Sequence, residues 1–186
     1  MAIDYDLTGN DLVVNTIKMG ASAVGTSGTE VTATATEINR VADVSGRLVA
    51  AGSALSVTVA AHDGKTILLD TAAGSTCTLP ASSGSGARFR FVISTVATSN
   101  SHIIKVANAT DVMSGVIIAA NDTDGSASAW ETAATSDTIT LNRTTTGSTI
   151  KGEWVELEDI ASGTWAVTGV IAATGTEATP FSATVS

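Results

Sequence analysis

Three short apolar segments, at residues 66–70, 76–79 and 88–94, are separated by Ala73-Gly74-Ser75 and by Pro80-Ala81-Ser82-Ser83-Gly84-Ser85-Gly86. Segments this short, bounded by Gly, Ser, Pro and Asp, read as β-strands and not as helices. In the third, Phe89, Phe91 and Ile93 alternate with Arg88, Arg90 and Val92, so the aromatic rings share one face and the two arginines the other. This period of two governs most of the chain. Leu55, Val57 and Val59 alternate with Ser56 and Thr58, Ile104 and Val106 with Ile103 and Lys105, and Ile139 and Leu141 with Thr138 and Thr140. Trp154, Glu156 and Glu158 oppose Val155, Leu157 and Asp159, and Trp165 and Val167 open a last strand reaching about Ala172. Ala161-Ser162-Gly163 is the hairpin loop between those two. Val116 to Ala120 is continuously apolar and predicts a strand buried on both faces. No helical period follows residue 48. About nine or ten short strands at this spacing predict an all-β chain, a β-sandwich or jelly-roll-like body.

Before that body the pattern changes. Residues 1–33 carry one short apolar strip, Leu12, Val13, Val14, Ile17 and Met19, followed by a run of Gly, Ala, Ser, Thr and Val too small to offset its own ordering entropy. They read as an extended N-terminal arm. Residues 34–48 read as one short helix and a linker: Thr34-Ala35-Thr36-Glu37 has capping-box spacing, Ile38, Val41 and Ala42 share a face, and Gly46 stands at the C-cap. The β domain then occupies 49–186, with a C-terminal tail in which Phe181 is expected to anchor on the chain's own surface or on a partner's.

Apolar residues make up 44% of the sequence but aromatics only 4%, so the core must rest on a few large side chains: Phe89, Phe91, Trp130, Trp154, Trp165 and Phe181. A core this thin for 186 residues suits a flat sandwich, or one completed by neighbouring subunits. The formal charge of −9 opposes nucleic acid and anionic membrane surfaces as partners, since both require a basic face. The single Cys77 excludes an internal disulfide and reads as a small core residue. No signal peptide and no long apolar span is visible, which suits synthesis in a reducing cytoplasm.

Candidate chemistry is sparse. Asp122, Asp124, Gly125 and Glu131 fit four positions of a twelve-residue calcium loop, but the first ligand position is Ala120 and no helices flank it, so a turn linking two strands is the better reading. His62 and His102 lack ligand spacing and read as surface or turn residues. Gly84-Ser85-Gly86 has neither the spacing nor the following helix of a nucleophile elbow or a phosphate loop. Neither a catalytic set nor a cofactor is expected. Arg88 and Arg90 form a small basic patch that faces either solvent or an acidic neighbour.

His62-Asp63-Gly64-Lys65-Thr66-Ile67-Leu68-Leu69-Asp70, Thr78-Leu79-Pro80, Gly84-Ser85-Gly86 and Phe89-Arg90-Phe91-Val92 together resemble a domain of tailed-bacteriophage structural proteins. Ile103-Ile104-Lys105-Val106, Asp111-Val112-Met113-Ser114-Gly115, Gly152-Glu153-Trp154-Val155-Glu156-Leu157, Trp165-Ala166-Val167 and the segment from Gly175 to Ser182 extend the resemblance, and Val31 to Asn39 is similar to the leader of phage virion proteins. The family is that of capsid decoration (cement) and head-fibre proteins. The resemblance implies a β-rich subunit, usually a homotrimer, bound to the major capsid protein on the outer surface of the phage head, with no catalytic residues. Capsid or subunit contacts are then expected at Leu12, Val14, Ile17, Ile38, Val41, Arg88, Arg90 and Phe181. The alternative is a head-fibre, tail-fibre or spike component that binds host surface glycans, with Trp130 as its one candidate exposed aromatic. A polysaccharide-degrading enzyme would need a carboxylate pair across a groove, for which only Asp122, Asp124 and Glu131 offer themselves.

Overall fold

A computed structural model describes residues 18–19, 29–30, 38, 46–122 and 124–185. The chain divides into two units, Met1–Val44 and Ser45–Ser186. In the first, β1 (Lys18–Met19) pairs antiparallel with β2 (Thr29–Glu30), a pairing within the segment expected to be an extended arm. Ile38 is helical and exposed. Leu12, Val14, Ile17, Val41 and the rest of the expected helix lie outside the described residues.

The second unit is a β-sandwich of twelve strands in two sheets. The larger sheet holds seven: β3 (Leu48–Ala50), β5 (Thr66–Leu69), β7 (Arg88–Ile93), β9 (Val112–Asn121), β10 (Ala127–Glu131), β12 (Trp154–Ala161) and β13 (Thr164–Ala173), in the order β10-β9-β13-β12-β7-β5-β3. The smaller holds β4 (Ala54–Ser56), β6 (Thr76–Thr78), β8 (His102–Lys105), β11 (Thr138–Leu141) and β14 (Phe181–Ser182), in the order β14-β11-β8-β6-β4. From β3 to β8 the chain alternates between sheets. β3, β5 and β7 therefore stack in parallel in one layer, and β4, β6 and β8 in the other. Of the two expected architectures, the sandwich is the one formed.

Alternation decides which side chains fill the space between the sheets. Ile67, Leu69, Phe89, Phe91 and Ile93 meet Cys77, Ile104, Ile139 and Leu141 there, all at most 1% exposed. Phe89 and Trp165 pack with ring centroids 5.6 Å apart. Gly115 is required where β9 runs beside β13: a Cβ on it would lie 1.9 Å from the Val167 carbonyl oxygen.

Several expectations are corrected. The strand expected through Val59 ends at Ser56, because Thr58 caps a four-residue helix, α1 (Val59–His62), with its Oγ1 accepting from the Ala61 N–H. Val116–Ala120 lies in a strand buried on one face only; Val116 and Ile118 are 43% and 49% exposed. Trp154 points out of the sandwich, and Trp130 is half-buried at its edge. Both histidines are buried. His102 Nδ1 accepts from the Ser75 N–H and Nε2 donates to the Thr95 carbonyl; burial lowers its pKa, which the Thr95 bond only partly offsets. Two short strands, β3 and β14, carry no sequence signal. β14 places Phe181 in the core opposite Ile139, so that anchor is intramolecular.

Candidate functional site

The two outer faces of the sandwich differ in chemistry. On the smaller sheet one cross-strand row reads Ser56, Thr78, Lys105, Thr138, Ser182, polar throughout, and the row beside it mixes Ala54 and Ile103 with Thr76 and Thr140. On the larger sheet the registers align Ala50, Leu68, Val92, Trp154, Val170, Ile118 and Ala129 into one row. It crosses all seven strands without a polar residue. At the usual strand spacing it is about 29 Å long. Ile118 and Val170 are each 49% exposed, and Ala50 and Ala129 are exposed as well. Ala120 and Ala172 extend the apolar area on one side of the row, and Val116 on the other. A continuous apolar strip of this length on a sheet face is a mark of an interaction surface.

The row beside it carries charge: Glu131, Val116, Thr168, Glu156, Arg90, Thr66 and Leu48 stand in register. The two arginines expected as contacts lie on this face and are held by their own sheet. The Arg90 guanidinium sits 4.1 Å over the Trp154 ring, and Arg88 Nη2 donates to Glu158 Oε1 at 3.0 Å. The cation–π contact lays Arg90 over Trp154, whereas the Arg88–Glu158 pair is at the surface, with the arginine side chain 61% exposed.

The calcium-loop candidates are not brought together. Asp124 accepts from the Ser126 N–H inside the β9–β10 turn, whereas Glu131 is opposite Val116 at the far end of β10, about 14 Å along the strand from Ala127. Among the described residues no group of three His, Cys, Asp or Glu is placed to hold a metal ion.

At the end of the larger sheet where β9 and β13 finish, there is a cavity of about 670 Å³. Its walls are Ala120, Asn121 and Asp122, then Ala172 to Thr174, then Arg143, Thr144 and Ser148 to Ile150 of the β11–β12 loop, with Val96 and Ala97 from the β7–β8 loop. The β11–β12 loop is firmly built. Asn142 Oδ1 accepts from the N–H groups of Thr144, Thr145 and Thr146, and the buried Glu153 carboxylate accepts from those of Ser148, Thr149 and Ile150. Arg143 and Ser148 are held at φ 59° and 57°, left-handed values unusual for residues with a side chain. No sequence motif marks this cavity, because its walls come from four separate segments. A second hollow, about 360 Å³, opens at the sandwich edge between Trp130 and Phe181.

Asp159 organises the opposite end of the sandwich. Its carboxylate accepts from the N–H groups of Ser83, Gly84 and Ser85 and from the Ser83 and Ser85 hydroxyls, at 2.7–3.1 Å. Burial alone would raise its pKa, but the bonds from Ser85, Gly84 and Ser83 outweigh burial and bring it down to about 2. The serine- and glycine-rich segment Ser83-Gly84-Ser85 is thus an anion nest filled by the chain's own carboxylate.

Compared with known proteins, the chain matches no protein-family model, no curated protein and no solved structure.

Proposed function

We propose that this chain is a virion structural protein of a tailed bacteriophage, a decoration subunit that binds the outside of the head and stabilises the capsid lattice. The observation that carries this reading is the apolar row that crosses the whole larger sheet. A subunit with an apolar strip across one outer face is suited to lie against a protein lattice on that side. The resemblance of the strand-and-turn segments to decoration and head-fibre proteins supports the same reading. The net charge of −9 fits a protein that contacts protein and not DNA. Binding to folded capsomers stabilises lattice and subunit together by mass action. Self-association as a homotrimer is part of the proposal.

The test is addition of the full chain to heads that lack it, followed by cryo-EM and thermal release of DNA. Wild-type chain is expected at local three-fold positions and raises the release temperature. The double variant I118K/V170K, which charges two exposed positions and leaves the core untouched, is expected to fold normally and leave heads bare. Heads without added density, or decoration by the double variant equal to wild type, would overturn the reading. A monomer by sedimentation at assembly concentrations would remove the trimer.

A further inference from the structure

We propose that β10 is a self-association edge: two copies of this chain pair antiparallel through Ala127–Glu131, about a two-fold axis at Ala129. This goes beyond the capsid reading and does not depend on it.

The backbone supplies the first observation. β10 ends the larger sheet, and among the described residues no strand pairs with its outer side. The Asn121 N–H donates to the Ser126 carbonyl and the Thr132 N–H to the Gly115 carbonyl, so the ladder to β9 runs through Ser126, Ser128, Trp130 and Thr132. Ala127, Ala129 and Glu131, all exposed, turn their N–H and carbonyl groups to the open edge. At five residues β10 is the longest of the sandwich's four edge strands; β3, β4 and β14 have three, three and two. It carries no proline, lysine or bulge, the usual guards of an edge that stays single.

The strand's own sequence selects a second copy as its partner. With Ala129 opposite its counterpart, Ala127 of each copy stands opposite Glu131 of the other. All three outward residues then exchange backbone bonds, two per pair. The two Glu131 carboxylates are four residues apart along the strands, about 14 Å, which is beyond the screening length of about 8 Å.

Two further features meet at this edge. Trp130 is half-buried beside the 360 Å³ hollow that opens there. In the pairing it faces Ser128 of the second copy and lies diagonal to that copy's Trp130, within reach of an aromatic ring. The two indoles therefore meet where the two hollows open, and close them. On the outer face, the apolar row ends on β10 at Ala129. Pairing about Ala129 sets two rows end to end on the same side, because the axis is perpendicular to the sheet. Two seven-stranded sheets become one of fourteen, and the strip grows to about 60 Å. A shifted register breaks the row and leaves outward groups unbonded.

The experiment is cysteine cross-linking of the full chain at micromolar concentration under mild oxidation. Native Cys77 is buried and silent, so only an introduced thiol reports. Ala129→Cys is expected to give a covalent dimer. Ala127→Cys chains are expected to link to Glu131→Cys chains of different tagged mass, and at least about tenfold less to themselves. Ile160→Cys, 54% exposed on β12, is the control and should stay single. Ala129→Pro removes an outward N–H that β9 does not use, and Ala129→Lys opposes two like charges at the axis. Placed in the Ala127→Cys and Glu131→Cys chains, each should cut their linkage at least about tenfold with the circular dichroism of the fold retained; should the proline variant unfold, the lysine variant decides. Ala129→Cys linking no better than Ile160→Cys, Ala127→Cys linking to itself as readily as to Glu131→Cys, or undiminished linkage in folded Ala129→Lys chains would each overturn the proposal.

Discussion

Replacing Asp159 by Asn tests the reading of the serine–glycine segment as a nest closed by an internal carboxylate. The side chain keeps its shape but loses its charge and one acceptor oxygen. Oδ1 takes the Gly84 N–H and Oδ2 the Ser85 N–H, so either amide orientation leaves one of these facing an NH₂ group. A stranded buried donor costs about 1–3 kcal/mol. The charge contributes as well, through the same bonds. A folded pKa of about 2 against an unfolded value near 3.9 is worth at most about 2.5 kcal/mol. Asp159 is 1% exposed, but the segment around it is a surface loop with exposed Ser83 to Gly86, and that proximity to water reduces the charge contribution to roughly 1–2 kcal/mol. Because the same bonds depress the pKa, the two contributions overlap, and the loss is about 2–4 kcal/mol at pH 7, a fall of about 1–2 M in the urea midpoint at an ordinary slope for this size. Because the folded pKa is depressed, the charge contribution is present above the unfolded pKa and is lost as pH falls from about 4 to 2. The gap between wild type and D159N should therefore narrow strongly at pH 2, while effects common to both proteins cancel. An unchanged urea midpoint at pH 7, or a gap as wide at pH 2 as at pH 7, would refute the argument.

Other consequences are more direct. Burial, with a smaller contribution from Asp70, pushes the Cys77 thiol up to about 12, so a thiol reagent at pH 8 should label it only on unfolding; stoichiometric labelling of native protein would contradict its placement. Gly115→Ala should destabilise by about 2–3 kcal/mol or prevent folding, since the added methyl meets the backbone of β13 and not a movable side chain; a urea midpoint like wild type would show that the two strands are not so close. Phe181→Ala should cost about 3 kcal/mol through a cavity between β14 and β11, and a loss below about 1 kcal/mol would return Phe181 to the role of surface anchor.

Period-two alternation made the fold class readable, and it assigned faces correctly wherever a strand has one apolar side. Phe89, Phe91 and Ile93 point inward with Arg88 and Arg90 outward, and Val155, Leu157 and Asp159 are buried as their alternation implies. The failures have local causes. Val57 and Val59 continue an alternating pattern, but Thr58 supplies a cap and turns the chain into α1. β3 and β14 are too short, at three and two residues, for any period to appear. Large size misled for Trp154, which alternation alone places outside. The histidines looked like turn residues because sequence spacing does not report that Ser75 and Thr95 supply partners for both ring nitrogens of His102. The cavity was invisible for a different reason. Its arginine, its amide and its floor belong to separate segments that only the fold unites.

The apolar row was the hardest feature to read, and the reason bears on function. Its seven members come from seven strands that are not in chain order, so each contributes a single outward residue. One outward apolar side chain in a strand is ordinary, and most of an exposed surface is apolar in any case. Only the register, which carries Val92 to Trp154, Trp154 to Val170 and Val170 to Ile118, turns isolated residues into a strip. The continuous run Val116–Ala120 reads as a strand buried on both faces, and the structure buries only one of them. Around that run β9 is apolar on both faces, one turned to the core and one left outside. A sheet with helices on its outer face would explain such a strand within a single chain, but among the described residues of this unit the only helix is the four-residue α1. On the proposed reading, the second face is one that another protein covers. Charging Ile118 and Val170 separates the two possibilities: a face meant for water tolerates the lysines with assembly intact, whereas a face meant for a partner loses assembly with the fold intact.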